Sequence, residues 1–242
     1  MGRLTLTIVL GLTAALADVA GGSIILQRQW DRRYLRYFIA VGSGFMLATA
    51  IIEMLPESLR IAPERAPAYL LLGYFLIHFF EHTVTPHFHF GEETHASEFM
   101  QSHKSYSVLG GLVVHSFFDG IAIASGFLIS EWLGWMIFVA VFLHKIPEGF
   151  TVGSVMLASG RSRRTAFVSS IVLGGSTLLG VLAMWSFAPM LKVGLPLSAG
   201  VTLYVAASDL IPEVNKEPGV KMALLVFVGV AVLLGLNYWA RI

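Results

Sequence analysis

The sequence predicts an all-α integral membrane protein of eight transmembrane helices, in a 3+2+3 arrangement with inverted repeats. Three observations carry that prediction. Hydrophobic residues make up 56% of the chain and charged residues 13%, against about 25% charged in soluble domains. The mean hydropathy is +0.75. A window of about 20 residues, the length that crosses a bilayer, finds eight apolar segments and leaves almost nothing for a soluble domain. A net charge of +1 offers no basic footprint for nucleic acid. The absence of cysteine excludes disulfide frameworks, thiolate zinc sites and thiol redox chemistry. Any metal must therefore be held by His, carboxylate, Met or water.

The segments fall at 4–27, 36–56, 67–86, 106–129, 133–158, 165–187, 195–214 and 220–240. The first opens with Arg3 and an apolar run, like a cleaved signal peptide, but continues past Asp18 to Leu26 and so reaches spanning length. The second closes on Glu53-Met-Leu-Pro56-Glu57, and the seventh on Asp209-Leu-Ile-Pro212-Glu213. An acid, two apolar residues, a proline and an acid in both make helices 2 and 7 candidate mates of an inverted repeat. Pro56 and Pro212 lack an N–H, which frees the carbonyls of Ile52 and Ser208. The third segment carries His78 and His82, read with Asp18 as hydrogen bonds between helices. The fourth holds His115-Ser-Phe-Phe-Asp119-Gly120, and the fifth His144-Lys145-Ile-Pro147-Glu148-Gly149.

Loop charge sets the expected topology. Arg28, Arg32, Arg33, Arg36, Lys104, Arg161, Arg163, Arg164, Lys216 and Lys221 fall in loops 1/2, 3/4, 5/6 and 7/8. Only Arg3, Arg60, Arg65, Lys192 and Arg241 fall on the other side, while Lys145 lies within a span. The excess predicts a multi-pass protein of the inner cell membrane, with both termini outside and loop 3/4 in the cytoplasm. That loop, residues 87–105, holds His87, His89, His95 and His103 with Glu92, Glu93 and Glu98, a composition for loose zinc binding or for a polar connector. The rest of residues 1–242 forms a single transmembrane domain.

The chemistry concentrates in the fourth and fifth helices. A charge at bilayer depth costs roughly 2.5–3.5 kcal/mol on insertion scales, so five ionisable side chains in two neighbouring helices call for a function. Residues four apart share a helix face, which sets His115 above Asp119 and His144 above Glu148. Two such faces turned together form a nitrogen and oxygen site suited to zinc, and also to iron(II), manganese, cobalt or cadmium. Pro147 frees the Leu143 carbonyl toward an ion or water.

At these residues the chain resembles the ZIP metal transporters (Zrt- and Irt-like proteins): HSFFDG is similar to the helix-4 signature and HKIPEG to the helix-5 signature. The resemblance covers the whole chain and implies uptake of a divalent transition metal, commonly zinc, toward the cytoplasm. It carries the principal site onto His115, Asp119, His144 and Glu148, with Met46 able to complete it and Glu53 along the same pathway. Glu57, Asp209 and Glu213 line the approaches, and an elevator-like slide of helices 4 and 5 is implied. Two departures stand out. Ser116 replaces an asparagine of many members, and Lys145 replaces an acid of some; the bridging glutamate that helix 6 can supply falls at Ser176 or Thr177. The second metal of two-metal members is thus expected to be missing, with the Lys145 charge in its place. The metal is substrate, not a resident cofactor. The expected partners are that ion and the lipid bilayer, with a homodimer as the candidate assembly. An intramembrane metal-dependent hydrolase would use the same ligands, but the sequence has no His-Glu-x-x-His and no nucleophile with a partnered base.

Overall fold

A computed structural model describes residues 2–24, 32–83, 102–216 and 219–240. Among them every long element is helical. The order is α1 (Arg3–Ile24); α2 (Arg32–Ala48, then a π-helical turn Thr49–Met54, then Leu55–Ile61); α3 (Ala66–Thr83); α4 (Ser102–Ile129); α5 (Glu131–Ala158); α6 (Arg163–Ser186); α7 (Leu191–Tyr204, a π-helical turn Val205–Leu210, then Ile211–Asn215); and α8 (Val220–Ala240). Seven of these are long and apolar enough to cross a membrane. The remaining one, α3, ends in a turn carrying His78, Glu81 and His82, polar residues that dilute its 18-residue length. His87, His89 and His95 lie outside the described residues, and His103 stands in the first turn of α4.

Local chemistry sets the breaks. Ser130 alone separates α4 from α5, and its Oγ accepts the Leu133 N–H at 3.1 Å, capping α5. Ser162 caps α6 by accepting from Thr165 N–H at 3.1 Å. Helix 2 does not stop near Pro56, as the apolar run predicts, but continues to Ile61. The turn before the proline widens to a π-helix instead, with Leu55 N–H bonded to Ala50 O. The same widening precedes Pro212, where Ile211 N–H reaches Ala206 O. Both prolines then occupy a helical first turn, where no N–H is needed.

The helices sort into two groups. α1, α4, α5 and α6 pack on one another, while α2 pairs with α8 and α3 with α7; α2 and α7 then meet α5 and α4. Swapping α1 with α6, α2 with α7, α3 with α8 and α4 with α5 maps this set of pairs onto itself, as the predicted inverted repeat requires. Glycines make the pattern atomic. A Cβ on Gly149 of α5 would overlap the Asp18 carbonyl of α1, and one on Gly21 the Ile146 carbonyl. At the related crossing, a Cβ on Gly120 of α4 would overlap the Thr177 carbonyl of α6, and one on Gly180 the Phe117 carbonyl. Without a hydrophobic force between helices in lipid, such close backbone approach is what holds them together. Burial follows: 78% of the apolar stretch of α5 is inside the protein, against 17% for α8.

Candidate metal centre

The α4–α5 hairpin runs antiparallel, so the two His-x-x-x-acid faces meet in reversed order. His115, Asp119, His144 and Glu148 each offer a ligand atom, and these atoms all lie within 4.8 Å of one another. All four residues are buried. Asp119 Oδ2 sits at the centre, 3.2 Å from His115 Nε2 and 3.3 Å from His144 Nε2.

Hydrogen bonding orients the donors. His144 Nδ1 lies 2.9 Å from the Ala140 carbonyl, which can only accept, so Nδ1 donates there, and Nε2, 3.3 Å from Asp119 Oδ2, is the nitrogen turned to the cluster. Neither ring nitrogen of His115 has a hydrogen-bond partner among the described residues, nor does Asp119 Oδ1. Buried polar atoms without partners are costly, and a coordinated cation would take one His115 nitrogen and an Asp119 oxygen. Two imidazoles and two carboxylates form the mixed donor set of zinc and its divalent neighbours.

Lys145 is not beside this cluster but inside it. Its Nζ is 2.8 Å from Asp119 Oδ2, pairs with Glu148 Oε2, and donates to Ser116 Oγ at 2.8 Å. The Ser116 hydroxyl in turn donates to Glu148 Oε1. Both departures from the family pattern are therefore joined to each other and to the ligand acids. Ser176 Oγ donates to the Val113 carbonyl of α4 at 2.7 Å, so the side chain at one candidate bridging position ties helices together.

Met46 is fully buried on α2, in the apolar cluster that includes Ala140, one turn from His144. Glu53 is not one of the four clustered residues; it accepts from Asn237 Nδ2 of α8 and lines a cavity of about 300 Å³ with Glu57, Arg60, Ser130 and Trp132. Glu57 is paired with Arg60 at the cavity wall. Asp209 is buried in the π-helical turn of α7, and Glu213 pairs with Lys216 at 2.9 Å.

Asp18 corrects the sequence reading. It forms no hydrogen bond between helices among the described residues; its carboxylate lies 3.7 Å from Lys145 Nζ, at the edge of the charge cluster. An acid within an apolar span was the signal that could have placed it there. His78 and His82 stack with ring centroids 4.1 Å apart, and Glu81 beside them accepts from Tyr204 of α7.

A family model described as "ZIP Zinc transporter" matches residues 91–237. Zinc transporter ZIP9-B of Xenopus laevis is 23% identical over 256 residues, which cover 85% of this chain and 84% of that protein. Zinc transporter ZIP5 of Homo sapiens is 31% identical over 118 residues, covering 47% of the chain and 22% of that protein. Zinc transporter SLC39A7 of Mus musculus is 28% identical over 139 residues, with 51% and 28% covered. The chain thus spans most of the first relative and less than a third of the length of the other two.

Proposed function

The chain belongs to the ZIP zinc transporter family, and from that premise we propose that it carries a divalent transition metal, zinc first, across the membrane toward the cytoplasm. The family is one of transporters and not of enzymes, which sets the hydrolase reading aside. The observation that carries the proposal is the convergence of His115, Asp119, His144 and Glu148 within 4.8 Å, at the buried meeting of the two central helices. Such sites in repeat-built carriers lie near mid-membrane, where access alternates as one bundle moves against the other.

In this reading Glu53 and Glu57 collect the ion from the outer cavity, and Asp209 and Glu213 line its exit, with the Met46 thioether as the further ligand that can complete the site. From Leu133 at the cavity to His144 is 11 residues of α5, about 16 Å of helix rise, so the ion must be carried or admitted over that distance. The site takes one ion, because the buried Lys145 ammonium keeps a positive charge where a second ion would bind. Termini outside and a cytoplasmic 3/4 loop follow from the loop charges.

Uptake of radioactive zinc into proteoliposomes tests the function. His115→Ala should lower the initial rate by about 100-fold, given that even residues behind metal ligands are worth 10–100-fold in affinity. Competition with iron(II), manganese and cadmium then ranks the cargo. Zinc flux indifferent to His115 would overturn the assigned path.

A further inference from the structure

Asp18 is the buried acid that the transport site leaves over. It is wholly buried on α1, and neither carboxylate oxygen has a hydrogen-bond partner among the described residues. The glycine crossing explains its position: Gly21 and Gly149 let α1 and α5 touch backbone to backbone, which brings Asp18 to Lys145. The 3.7 Å separation is an ion pair that stops short of a hydrogen bond. Lys145 meanwhile binds Asp119 and Glu148, the two acids that a divalent ion would claim.

Charge decides what must happen when the ion arrives. Asp18, Asp119 and Glu148 against one ammonium leave two negative charges, with both imidazoles neutral as ligands must be. One divalent cation neutralises that set. Without Asp18 the same ion would leave a buried excess positive charge, and an uncompensated buried charge is strongly unfavourable.

Resting on the transport reading above, we propose that Asp18 is the second seat of the Lys145 ammonium. When a divalent cation takes Asp119 and Glu148, the ammonium leaves them and closes on Asp18. The movement needed is about one ångström, from 3.7 Å to the roughly 2.8 Å of a charge-assisted hydrogen bond. Lys145 keeps its proton throughout; the metal replaces it on the two acids, and Asp18 receives it. Asp18 is thus a positioning residue that matches the site to a divalent charge. The related crossing supports the pairing: there Thr177 stands where Asp18 does and Ser116 where Lys145 does, so the acid and the base occur together on one side only.

Zinc titration of the purified full-length protein by calorimetry tests this. Asp18→Asn keeps the shape, removes the charge and should weaken zinc binding about tenfold or more, the scale of losing one partner of a buried charge pair. Asp18→Asn with Lys145→Met restores two net negative charges, and affinity should return to within about threefold of wild type. A merely structural role for Asp18 would leave the double variant as weak as the single one, and that result overturns the proposal. So does Asp18→Asn with wild-type affinity. Should Asp18→Asn fail to fold, Asp18→Glu decides: it keeps the charge, and a tenfold loss there overturns the proposal too. Zinc binding that needs His115 but ignores Asp18 sinks this inference alone. A wild-type protein that binds no zinc sinks the transport site with it.

Discussion

The crossing of α1 with α5 and the crossing of α6 with α4 are one backbone arrangement used twice, with different chemistry laid on it. In both, a glycine on the central helix faces a carbonyl of its outer partner: Gly149 meets Asp18, and Gly120 meets Thr177. In both, a second glycine returns the contact, Gly21 onto Ile146 and Gly180 onto Phe117. The candidate ligands match too, His144 with His115 and Glu148 with Asp119. Only the residues around them differ. Asp18 and Lys145 form an ion pair at the first crossing, where the second has two hydroxyls, Thr177 and Ser116. The repeat therefore fixes geometry and ligand number, while the departures from symmetry fix charge.

Gly149→Ala and Gly120→Ala test the shared half of that comparison and should have the largest effect. Each new methyl group would overlap a backbone carbonyl, which cannot rotate away. Overpacking of this kind costs roughly 1–3 kcal/mol, so both variants should lose similar stability in detergent melts, with exposed Gly175→Ala unchanged as control. Zinc affinity should separate them. Gly149→Ala pushes Asp18 from Lys145 and should weaken binding by about tenfold; Gly120→Ala leaves that pair alone and should weaken it less. Equal losses of affinity would mean that the charge pair adds nothing to the crossing.

The cluster of His115, Asp119, His144 and Glu148 was legible in the sequence because the signal is local: a His and an acid four apart in an apolar run must share a face. The eight segments and the mating of helices 2 and 7 were legible for the same reason. What the sequence hid is long-range or cooperative. Nothing near Asp18 announces Lys145, since their meeting depends on where two glycines allow helices to cross. Pro56 and Pro212 read as helix ends with one freed carbonyl each. Each is instead absorbed by a widened turn that lets the helix run on, an adjustment spread over six residues that no single residue encodes. Glu53, read along the ion's pathway, accepts a hydrogen bond from Asn237 of α8, a long-range partner that no local pattern announces.

Thr177→Val sharpens the other half of the comparison, at the position matching Asp18. The Thr177 hydroxyl is buried and has no hydrogen-bond partner among the described residues. An unpaired buried hydroxyl costs on the order of 1 kcal/mol or more, so an isosteric methyl should raise the melting temperature. Zinc affinity should stay within about twofold of wild type, since no charge is removed. A large loss of zinc binding would make Thr177 a partner of the ion and the two crossings chemically equivalent.

The smallest effect is expected where the repeat places charge in water rather than at its core. Past each proline, α2 and α7 end in matching pairs, Glu57 with Arg60 and Glu213 with Lys216, three residues apart as Lys145 and Glu148 are. Arg60 and Lys216 are exposed, while Lys145 is fully enclosed. Solvent and salt screen the outer pairs, and exposed ion pairs of this type contribute little. Arg60→Ala unmasks Glu57 at the cavity it lines with Glu53, the ion's entrance in the reading proposed above, and should raise the initial zinc uptake rate at low ionic strength by less than about twofold, through attraction of the cation to the mouth. Raising the salt to about 1 M, where the screening length falls to about 3 Å, should erase the gain. Lys216→Ala, on the exit side in the reading proposed above, should leave initial uptake unchanged in the same assay. A salt-independent change in either variant would mean that these pairs act on the moving helices themselves, and the contrast between screened ends and an unscreened core would fail.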